Sequence, residues 1–397
     1  MIDLANPETY ANGIPHDEFR RLRATDPVSW QPEQKGSGFW AVTRHADIVH
    51  VLRTPDLFSS HRGGCRLEDL PHEFLVKIRE NMMNSDPPFH TKLRKLTNHV
   101  FSPKRVGALE QRVAEQARRL VDRIRDKPGC DFASEVAGEL PLFVICEILG
   151  VPEPDRAHLY TLTNRMFGSV SEDREVAMRA SMAAAGEMRA YAAALATSRG
   201  ALRGEDFVSD LLDAEIDGRK LTDGEFQAFF MLLFNAGADT TRSVLCFGLD
   251  LLLAHPSALA RVQADATLLP SAIEEILRYE TVVIQFRRTA LADTEIGGTK
   301  IAAGDKVVVF FPSANRDERV FADPDRFDIS RTPNQHLAFG HGTHFCLGAP
   351  LARMEALHLY RELFSRLRDF AAAAPLVRGK TNFVRSVHSQ LITYTSM

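Results

Sequence analysis

The chain has 397 residues, 45% hydrophobic and 25% charged, which is typical of a globular protein whose core can hold a bulky cofactor. Its formal net charge is −4, its pI is near 6.4, and its 48 Lys and Arg residues are spread along the sequence, which argues against a nucleic-acid or anionic-membrane partner. The cysteines are odd in number and form no C-x-x-C pair of the kind that zinc sites and redox dithiols use, which favours a reducing cytoplasm. They are Cys65, Cys130, Cys146, Cys246 and Cys346.

The N-terminal part predicts a small sheet region. Its first twenty residues lack an apolar run behind a cationic flank, so we expect neither a signal peptide nor a membrane anchor. A short helix is predicted near His16 to Ala24, followed by strands around Val28 to Trp30 and Gly38 to Val42.

From about Arg44 to Leu277 the apolar spacing is mostly helical, as in Arg105 to Arg125 and Glu175 to Ala196. Thr222 with Glu225 three residues later is a capping-box signature, and no proline follows before His255, so one unusually long helix is expected there. Its apolar segment contains Asn235, Asp239, Arg242 and Asp250, which indicates a buried helix rather than a membrane span.

Beyond this helix, residues 297–312 alternate like a strand, residues 315–336 are irregular, and a last helix is predicted from just after Cys346 to about Arg366. The pattern predicts a mainly α protein with small β-sheets, of the α+β class. We expect residues 1–397 to form one domain, with a small N-terminal β-rich region and a large helical region.

One segment predicts a cofactor site: Phe339-Gly340-His341-Gly342-Thr343-His344-Phe345-Cys346-Leu347-Gly348. Glycines permit a tight turn and a close backbone approach to a flat ligand. The backbone amides of such a turn and the N-terminus of the following helix favour a thiolate at Cys346. Most free cysteines are small buried hydrophobes, and that interpretation suits the other four.

This segment resembles the haem-ligand loop F-G-x-G-x-H-x-C-x-G of the cytochrome P450 family. The resemblance runs from about Asp17 to the C-terminus and implies the family's fold, a triangular helical prism with a long central helix. It implies haem b (iron protoporphyrin IX) as the cofactor, with Cys346 as the axial ligand of the iron. It also assigns Phe339 to shielding the thiolate, His344 to a haem propionate, and Gly340 and Gly348 to the turn around the cofactor.

The long helix contains Ala236-Gly237-Ala238-Asp239-Thr240-Thr241, an unfavourable sequence for a helix interior. Taken alone, Gly237 relieves packing and Thr240 bonds back to a carbonyl one turn earlier, which only bends the helix. Beside Cys346, the segment resembles the family's oxygen-binding groove. There, Ala236 and Gly237 make room beside the haem, and Asp239 and Thr240 are the catalytic pair that delivers protons.

Other segments match the family in the same order. His90, Arg94 and Arg288 are assigned with His344 to the two propionates, although the neighbouring Arg287 competes for the third place. Glu275 and Arg278, spaced i and i+3, resemble a structural Glu/Arg motif whose third member is predicted to be Arg326.

The implied activity is a monooxygenase that hydroxylates a lipophilic substrate such as a terpenoid or steroid, with two electrons from a separate protein. A ferredoxin or flavodoxin with its NAD(P)H reductase is the expected partner, docking near Lys92 and Lys95. The predicted substrate pocket is mainly apolar, although core packing is the commoner role of such residues. It comprises Met82, Met83, Phe230, Leu233, Phe234, Val283, Ile284, Phe286 and Val387.

Two alternatives stay open. An oxidative coupling or ring-forming catalyst would use the same cofactor without inserting oxygen. A non-catalytic haem protein that senses or carries a diatomic gas would show no substrate-induced spin change and would not need Asp239 or Thr240.

Overall fold

The computed structural model describes residues 2–34, 36–98, 101–167, 174–201, 204 and 206–397. The helices among them are α1 His16–Thr25, α2 His45–Arg53, α3 His72–Ile78, α4 Phe89–Asn98, α5 Pro103–Ile124, α6 Glu139–Leu149, α7 Glu153–Phe167, α8 Arg174–Ala201, α9 Phe207–Asp213, α10 Asp223–Ala254, α11 Pro256–Ala264, α12 Leu269–Tyr279, α13 Phe311–Ala314 and α14 Ala349–Arg366. The strands are β1 Val28–Gln31, β2 Phe39–Val42, β3 Phe58–Ser59, β4 Gly129–Asp131, β5 Glu215–Ile216, β6 Arg219–Lys220, β7 Gln285–Ala290, β8 Thr294–Ile296, β9 Thr299–Ile301, β10 Lys306–Phe310, β11 Leu367–Ala372, β12 Val377–Arg378, β13 Val387–Ser389 and β14 Leu391–Ser396.

The first compact unit comprises residues up to 91, residues 247–349 and residues 380–385. It is built on a five-stranded sheet in the order β1-β2-β10-β7-β3, in which only the β2–β10 pair is parallel. Every residue of β10 is buried, because Val307 and Val309 pack into one apolar cluster while Val308 and Phe310 pack into another. Since both faces of the sheet are covered, the strand is a continuous apolar run after Lys306.

The second unit comprises residues 92–246, 350–379 and 386–397. It is mainly helical and carries a three-stranded antiparallel sheet in the order β11-β14-β4. Ser102 caps α5 by accepting a hydrogen bond from the Arg105 amide, and Pro103 occupies the first turn, where its missing N–H costs nothing. The helix then buries apolar side chains at helical spacing from Val106 to Ile124.

The long helix is confirmed as α10, and its 32 residues extend about 48 Å at 1.5 Å per residue. The capping box forms as predicted, because the Thr222 amide donates to Glu225 Oε2 at 2.8 Å and the Glu225 amide donates to Thr222 Oγ1 at 3.2 Å. Arg219 adds two bonds of 2.7 Å to the same carboxylate, which holds the pKa of Glu225 down at about 2. The start of α10 is therefore fixed by side chains.

The predicted α1, β1, β2, α5, α8 and α14 are all present, and the mainly α class with small sheets is confirmed. Residues 297–312 differ from the prediction, since they form β9, a turn at Gly304, β10 and the first residues of α13. Among the described residues no single helix could cross a bilayer; only α10 and α11 taken as a bent pair have the length and composition. The single domain predicted for residues 1–397 remains a prediction.

Candidate functional site

The cysteine loop is a compact turn in the first unit that ends at the N-terminus of α14. The Cys346 amide donates to Phe339 O at 2.9 Å, and the Gly340 amide donates to Leu337 O at 2.9 Å. The Phe339 and Phe345 rings meet edge to face at 6.4 Å. The loop thus holds its own shape, and Cys346 lies on its exposed side.

Two glycines of the loop are required by its backbone. Gly340 and Gly342 have φ values of +71° and +67°, in the left-handed region that side chains with a β-carbon rarely adopt. At Gly342 a β-carbon would also lie 2.4 Å from the carbonyl oxygen of Leu52 in α2. At Gly348 it would lie in ordinary contact, 3.8 Å from Cys346 Sγ.

The other four cysteines are buried, as predicted for small apolar residues. Burial raises the pKa of the Cys65 and Cys130 thiols to about 11 and that of Cys146 to about 12. Since a cysteine must be a thiolate to ligate a metal, these three cysteines are poor candidates for the iron ligand. Cys346 is the exposed one of the five.

His90 and His344 lie together in the first unit, with ring centroids 4.2 Å apart. His344 Nε2 is 3.3 Å from Ser60 Oγ, and the Ser60 amide donates to Asp86 Oδ1 at 2.7 Å. Asp86 therefore fixes the loop that supports His344. Neither Ser60 nor Asp86 was a predicted site residue, because their roles depend on a contact between distant segments.

Strand β7 separates the two competing arginines. Arg287 Nη1 pairs with Asp69 Oδ1 at 2.8 Å, whereas Arg288 points to the other face of the strand, which Phe286 shares. The Arg288 side chain is 4% exposed and donates to the carbonyl oxygen of Arg287 at 2.8 Å. No carboxylate of the described residues forms an ion pair with it, although burial lowers the pKa of its guanidinium.

The predicted oxygen-binding segment lies on α10 in the second unit. Ala236 is exposed and Thr240 is half-buried, so the face that these two share is open. A β-carbon at the half-buried Gly237 would instead lie 3.4 Å from Ile145 Cδ1. Thr240 Oγ1 donates to the carbonyl oxygen of Ala236 at 2.5 Å, the back-bond that the sequence allowed as the purely structural alternative. A hydroxyl that donates in this way keeps its lone pairs for accepting another hydrogen bond.

Asp239 points to a different side of α10 and is 7% exposed. Burial raises the pKa of its carboxyl from 3.8 to about 6, although the positive charge of Arg242 acts in the opposite direction. Arg242 is itself held at 3.3 Å by Asn164 Oδ1 and the carbonyl oxygen of His388. The carboxyl of Asp239 therefore changes charge close to neutral pH.

This pKa predicts how an Asp239→Asn variant depends on pH. Because the carboxyl has a higher pKa in the folded chain than in the unfolded chain, the stability that its protonated form contributes is lost as the pH rises through about 6. The asparagine cannot ionise, so the variant does not lose stability in this way. Its free energy of unfolding should exceed that of the wild type by roughly 2–3 kcal/mol at pH 8 and by about half as much at pH 5. Urea unfolding at both pH values measures the difference, with Asp223→Asn at the exposed start of α10 as control. An equal gain at both pH values would contradict the assigned pKa.

The predicted pocket residues divide by exposure. Phe230 and Phe234 are fully buried and stack at 6.0 Å, so they present no surface to a ligand and belong to the core of the second unit. Ile284 is likewise buried in an apolar cluster of the first unit, because it precedes a covered strand. Met82, Leu233 and Val387 are also buried. Apolar surface remains at Met83, Val283 and Phe286.

The Glu/Arg motif forms, but with a different third member. Glu275 and Arg278 are fully buried and joined by two bonds of 2.7 Å. The prediction of Arg326 was wrong, because its side chain is 65% exposed and pairs with Asp328, and only its carbonyl oxygen accepts from Arg278. Arg331 takes the place, with its Nε 3.1 and 3.2 Å from the two oxygens of Glu275.

The predicted docking residues lie on α4. Lys92 forms an ion pair with Asp217 at 2.7 Å in the second unit, while Lys95 is exposed. Lys92 is therefore partly neutralised. Sequence reasoning also missed Glu355 of α14, a buried carboxyl whose pKa burial raises well above its usual value. A single acidic residue in a helical pattern gives no signal of burial.

The residues of the first unit fit a haem. The exposed Cys346 thiol supplies a soft ligand, and the buried Arg288 guanidinium forms no ion pair with a described carboxylate. A haem propionate is an anion suited to such a charge-assisted hydrogen bond. The donor set therefore supports the group that the cysteine loop implies.

Comparisons with known proteins show the family to which the chain is similar. A sequence model of the cytochrome P450 family matches residues 158–368. The chain is 35% identical to a steroid C26-monooxygenase of Rhodococcus jostii over 99% of its own length and 84% of the relative's. It is 37% identical to a linalool 8-monooxygenase of Pseudomonas putida over 97% of each chain. Its structure is similar to a Mycobacterium marinum cytochrome P450 in complex with pseudoionone, with a TM-score of 0.89, 40% identity and coverage of 95% and 94% of the two chains.

Proposed function

The chain belongs to the cytochrome P450 family and is a haem-dependent monooxygenase, and on that premise we propose that it oxidises a lipophilic substrate of moderate size. The family's enzymes take their electrons from redox partners, and we propose a separate ferredoxin or flavodoxin with its NAD(P)H reductase. The observation that carries the proposal is the exposed Cys346 in a closed loop of the same unit as the buried Arg288, which forms no ion pair with a described carboxylate.

We propose haem b as the cofactor. Cys346 would ligate the iron, and His90, Arg94, Arg288 and His344 would hold the propionates, with Phe339, Gly340 and Gly348 shaping the turn. When bound, haem supplies an iron centre that reduces dioxygen and inserts one oxygen atom into the substrate. The thiolate's hydrophobic surroundings, to which Phe339 contributes, tune its electron donation.

We propose that residues of α10 leave room for the reactants and transfer protons. Ala236 keeps an open face of the helix free of bulk, and Gly237 allows α10 to approach Ile145 of α6 closely. The Thr240 hydroxyl, fixed by its bond to Ala236, offers its lone pairs for accepting a hydrogen bond. Asp239, with a pKa of about 6, can both take a proton from water and release it near neutral pH.

The substrate class is supported by the relatives and by the apolar surface. The names of the steroid and linalool monooxygenases indicate lipophilic substrates. A third relative, a methyl-branched lipid ω-hydroxylase of Mycobacterium bovis, is 37% identical over 99% of this chain. Met83, Val283 and Phe286 retain the exposed apolar area that such a substrate would contact. A terpenoid or steroid is the proposed class, and a cytoplasmic location agrees with five free cysteines.

Product formation per electron tests the function and the α10 roles together. In holoenzyme reconstituted with a ferredoxin, its reductase and NADPH, Thr240→Ala should lower product per NADPH by about 10²-fold, because the hydroxyl that accepts a hydrogen bond in the site is gone. Thr240→Ser keeps the hydroxyl and should restore most of it. A library of terpenoids and steroids supplies the substrates, selected by their shift of the haem spin state.

Two results would overturn these proposals. A Thr240→Ala enzyme that is as well coupled as Thr240→Ser would remove the hydroxyl's role. Haem-loaded wild type that shows neither a spin shift nor product with any library member would contradict the substrate class and favour a gas-binding protein.

A further inference from the structure

Strand β7 has a second polar face that the proposed haem site does not use. Gln285, Arg287 and Thr289 alternate with Phe286 and Arg288, and all three are buried. A cavity of about 250 Å³ lies at this face within the first unit. Its wall includes Arg62, Asp69, Leu70, Leu75, Arg287 and Thr289.

Two polar atoms of this wall lack hydrogen-bond partners among the described residues. They are Arg287 Nε and Thr289 Oγ1, on residues that are 6% and 4% exposed. Arg287 Nη1 is already satisfied by Asp69 and by the carbonyl oxygens of Leu67 and Glu68. Leaving a buried donor unpaired costs about 1–3 kcal/mol, so such atoms indicate a missing partner.

Gly63 packs directly against these two side chains. A β-carbon at this position would lie 2.3 Å from Arg287 Nη2 and 2.8 Å from Thr289 Oγ1. Unlike the following Gly64, whose φ is +80°, Gly63 does not have a left-handed backbone. The glycine at position 63 is therefore explained by the close approach of the Arg287 and Thr289 side chains and not by the chain conformation.

The charges around the cavity favour an anion. Asp69 is held by Lys306 at 2.7 Å and by Arg287 at 2.8 Å; burial raises its pKa, but these two partners outweigh burial and keep the pKa low. Lys306 is also paired with Glu33. Arg62 and Arg287 on the cavity wall thus face a single carboxylate, that of Asp69, which leaves one positive charge in excess.

The remaining wall is apolar at Leu70 and Leu75. We propose that the cavity binds a small organic carboxylate, whose head accepts hydrogen bonds from Arg287 and Thr289 while a short alkyl chain contacts the two leucines. A carboxylate matches the edge of a guanidinium in charge and planarity. The cavity is smaller than the roughly 300–1,000 Å³ of drug-sized ligand sites, so the chain must be short.

Leucine-methyl NMR on the haem-loaded protein reads this site separately from the proposed active site. Titration with hexanoate should shift the methyl signals of Leu70 and Leu75 saturably, and the exposed Leu291 outside the cavity serves as the reference signal. The neutral 1-hexanol tests whether binding requires the negative charge, and inorganic phosphate tests whether binding requires the alkyl chain. Both should bind at least tenfold more weakly than hexanoate.

Two variants locate the ligand within the cavity. Gly63→Ala places a methyl group between Arg287 and Thr289 and should weaken hexanoate at least tenfold, whereas Thr289→Val removes one hydroxyl and should weaken it severalfold. Arg66→Gln, an exposed arginine of the same segment that does not line the cavity, should bind like the wild type. The haem spectrum of each variant reports its fold.

The proposal is overturned if Leu70 and Leu75 do not respond to hexanoate. It is equally overturned if hexanol or phosphate binds as tightly as hexanoate, or if Gly63→Ala retains wild-type affinity in a correctly folded holoprotein. None of these outcomes bears on Cys346 or Thr240, so they leave the proposed function as it stands.

Discussion

A Cys346→Ala variant is expected to lose the thiolate-type Soret band of the reduced carbon-monoxide complex and all monooxygenase activity. The loop would keep its fold, because neither of its stabilising features depends on the thiol. These features are the hydrogen bond from the Cys346 amide to the carbonyl oxygen of Phe339 and the left-handed backbone of Gly340 and Gly342. What disappears is the soft anionic ligand, whose electron donation the chemistry requires. Difference spectra of wild type and variant, purified in parallel, measure this.

Cys130→Ala is the matched control for this experiment. Cys130 is buried, and burial raises the pKa of its thiol to about 11, so it is a small apolar residue and its loss should leave the band unchanged. A thiolate-type band that survives in Cys346→Ala would show that another group is the ligand. If the band is lost in Cys346→Ala and retained in Cys130→Ala, the ligand is Cys346.

Replacing Glu275 with glutamine should destabilise the protein by about 3–5 kcal/mol, a large part of the 5–15 kcal/mol by which such proteins are stable. The carboxylate is fully buried and accepts bonds from Arg278, Arg331, Asn334 and the Asp328 amide. Without its charge, the buried Arg278 cation has no anionic partner among the residues that the structure describes. The free energy of unfolding in urea measures the loss.

The two candidate third arginines give a comparison that holds even if Glu275→Gln fails to fold. Arg331→Ala should cost about 1–3 kcal/mol, since it removes a charged partner of Glu275 that is 9% exposed. Arg326→Ala should stay within about 0.5 kcal/mol of the wild type, since its side chain is exposed. The reverse order would restore the original assignment to Arg326.

Local signals in the sequence predicted the parts of the fold that depend on neighbouring residues. The Thr222–Glu225 capping box and the following proline-free run predicted the start and length of α10, and the apolar spacing from Arg105 to Arg125 predicted α5. The cysteine loop was predictable for the same reason, since two of its glycines are demanded by a short turn. These devices act within a few residues and need no knowledge of the rest of the chain.

The errors arise where distant segments meet. Arg326 and Arg331 are equally plausible in the sequence, and only the path of the irregular segment after α13 decides which one reaches Glu275. Phe230 and Phe234 have the spacing expected of a pocket as well as that of a core, and the packing of the second unit decides for the core. The roles of Ser60 and Asp86 likewise depend on contacts across the sequence.

The register of β7 against β10 determines which side chains reach each face of the sheet. The pairing of Arg288 with Val307 of β10 puts Arg288 on one face and Arg287 on the other. Sliding β7 by a single residue would exchange the two guanidiniums and carry Phe286 and Thr289 with them, because side chains alternate with a period of two. An insertion or deletion within β7 would therefore disturb both faces at once, whereas the bend at residues 291–293 can change length without moving either.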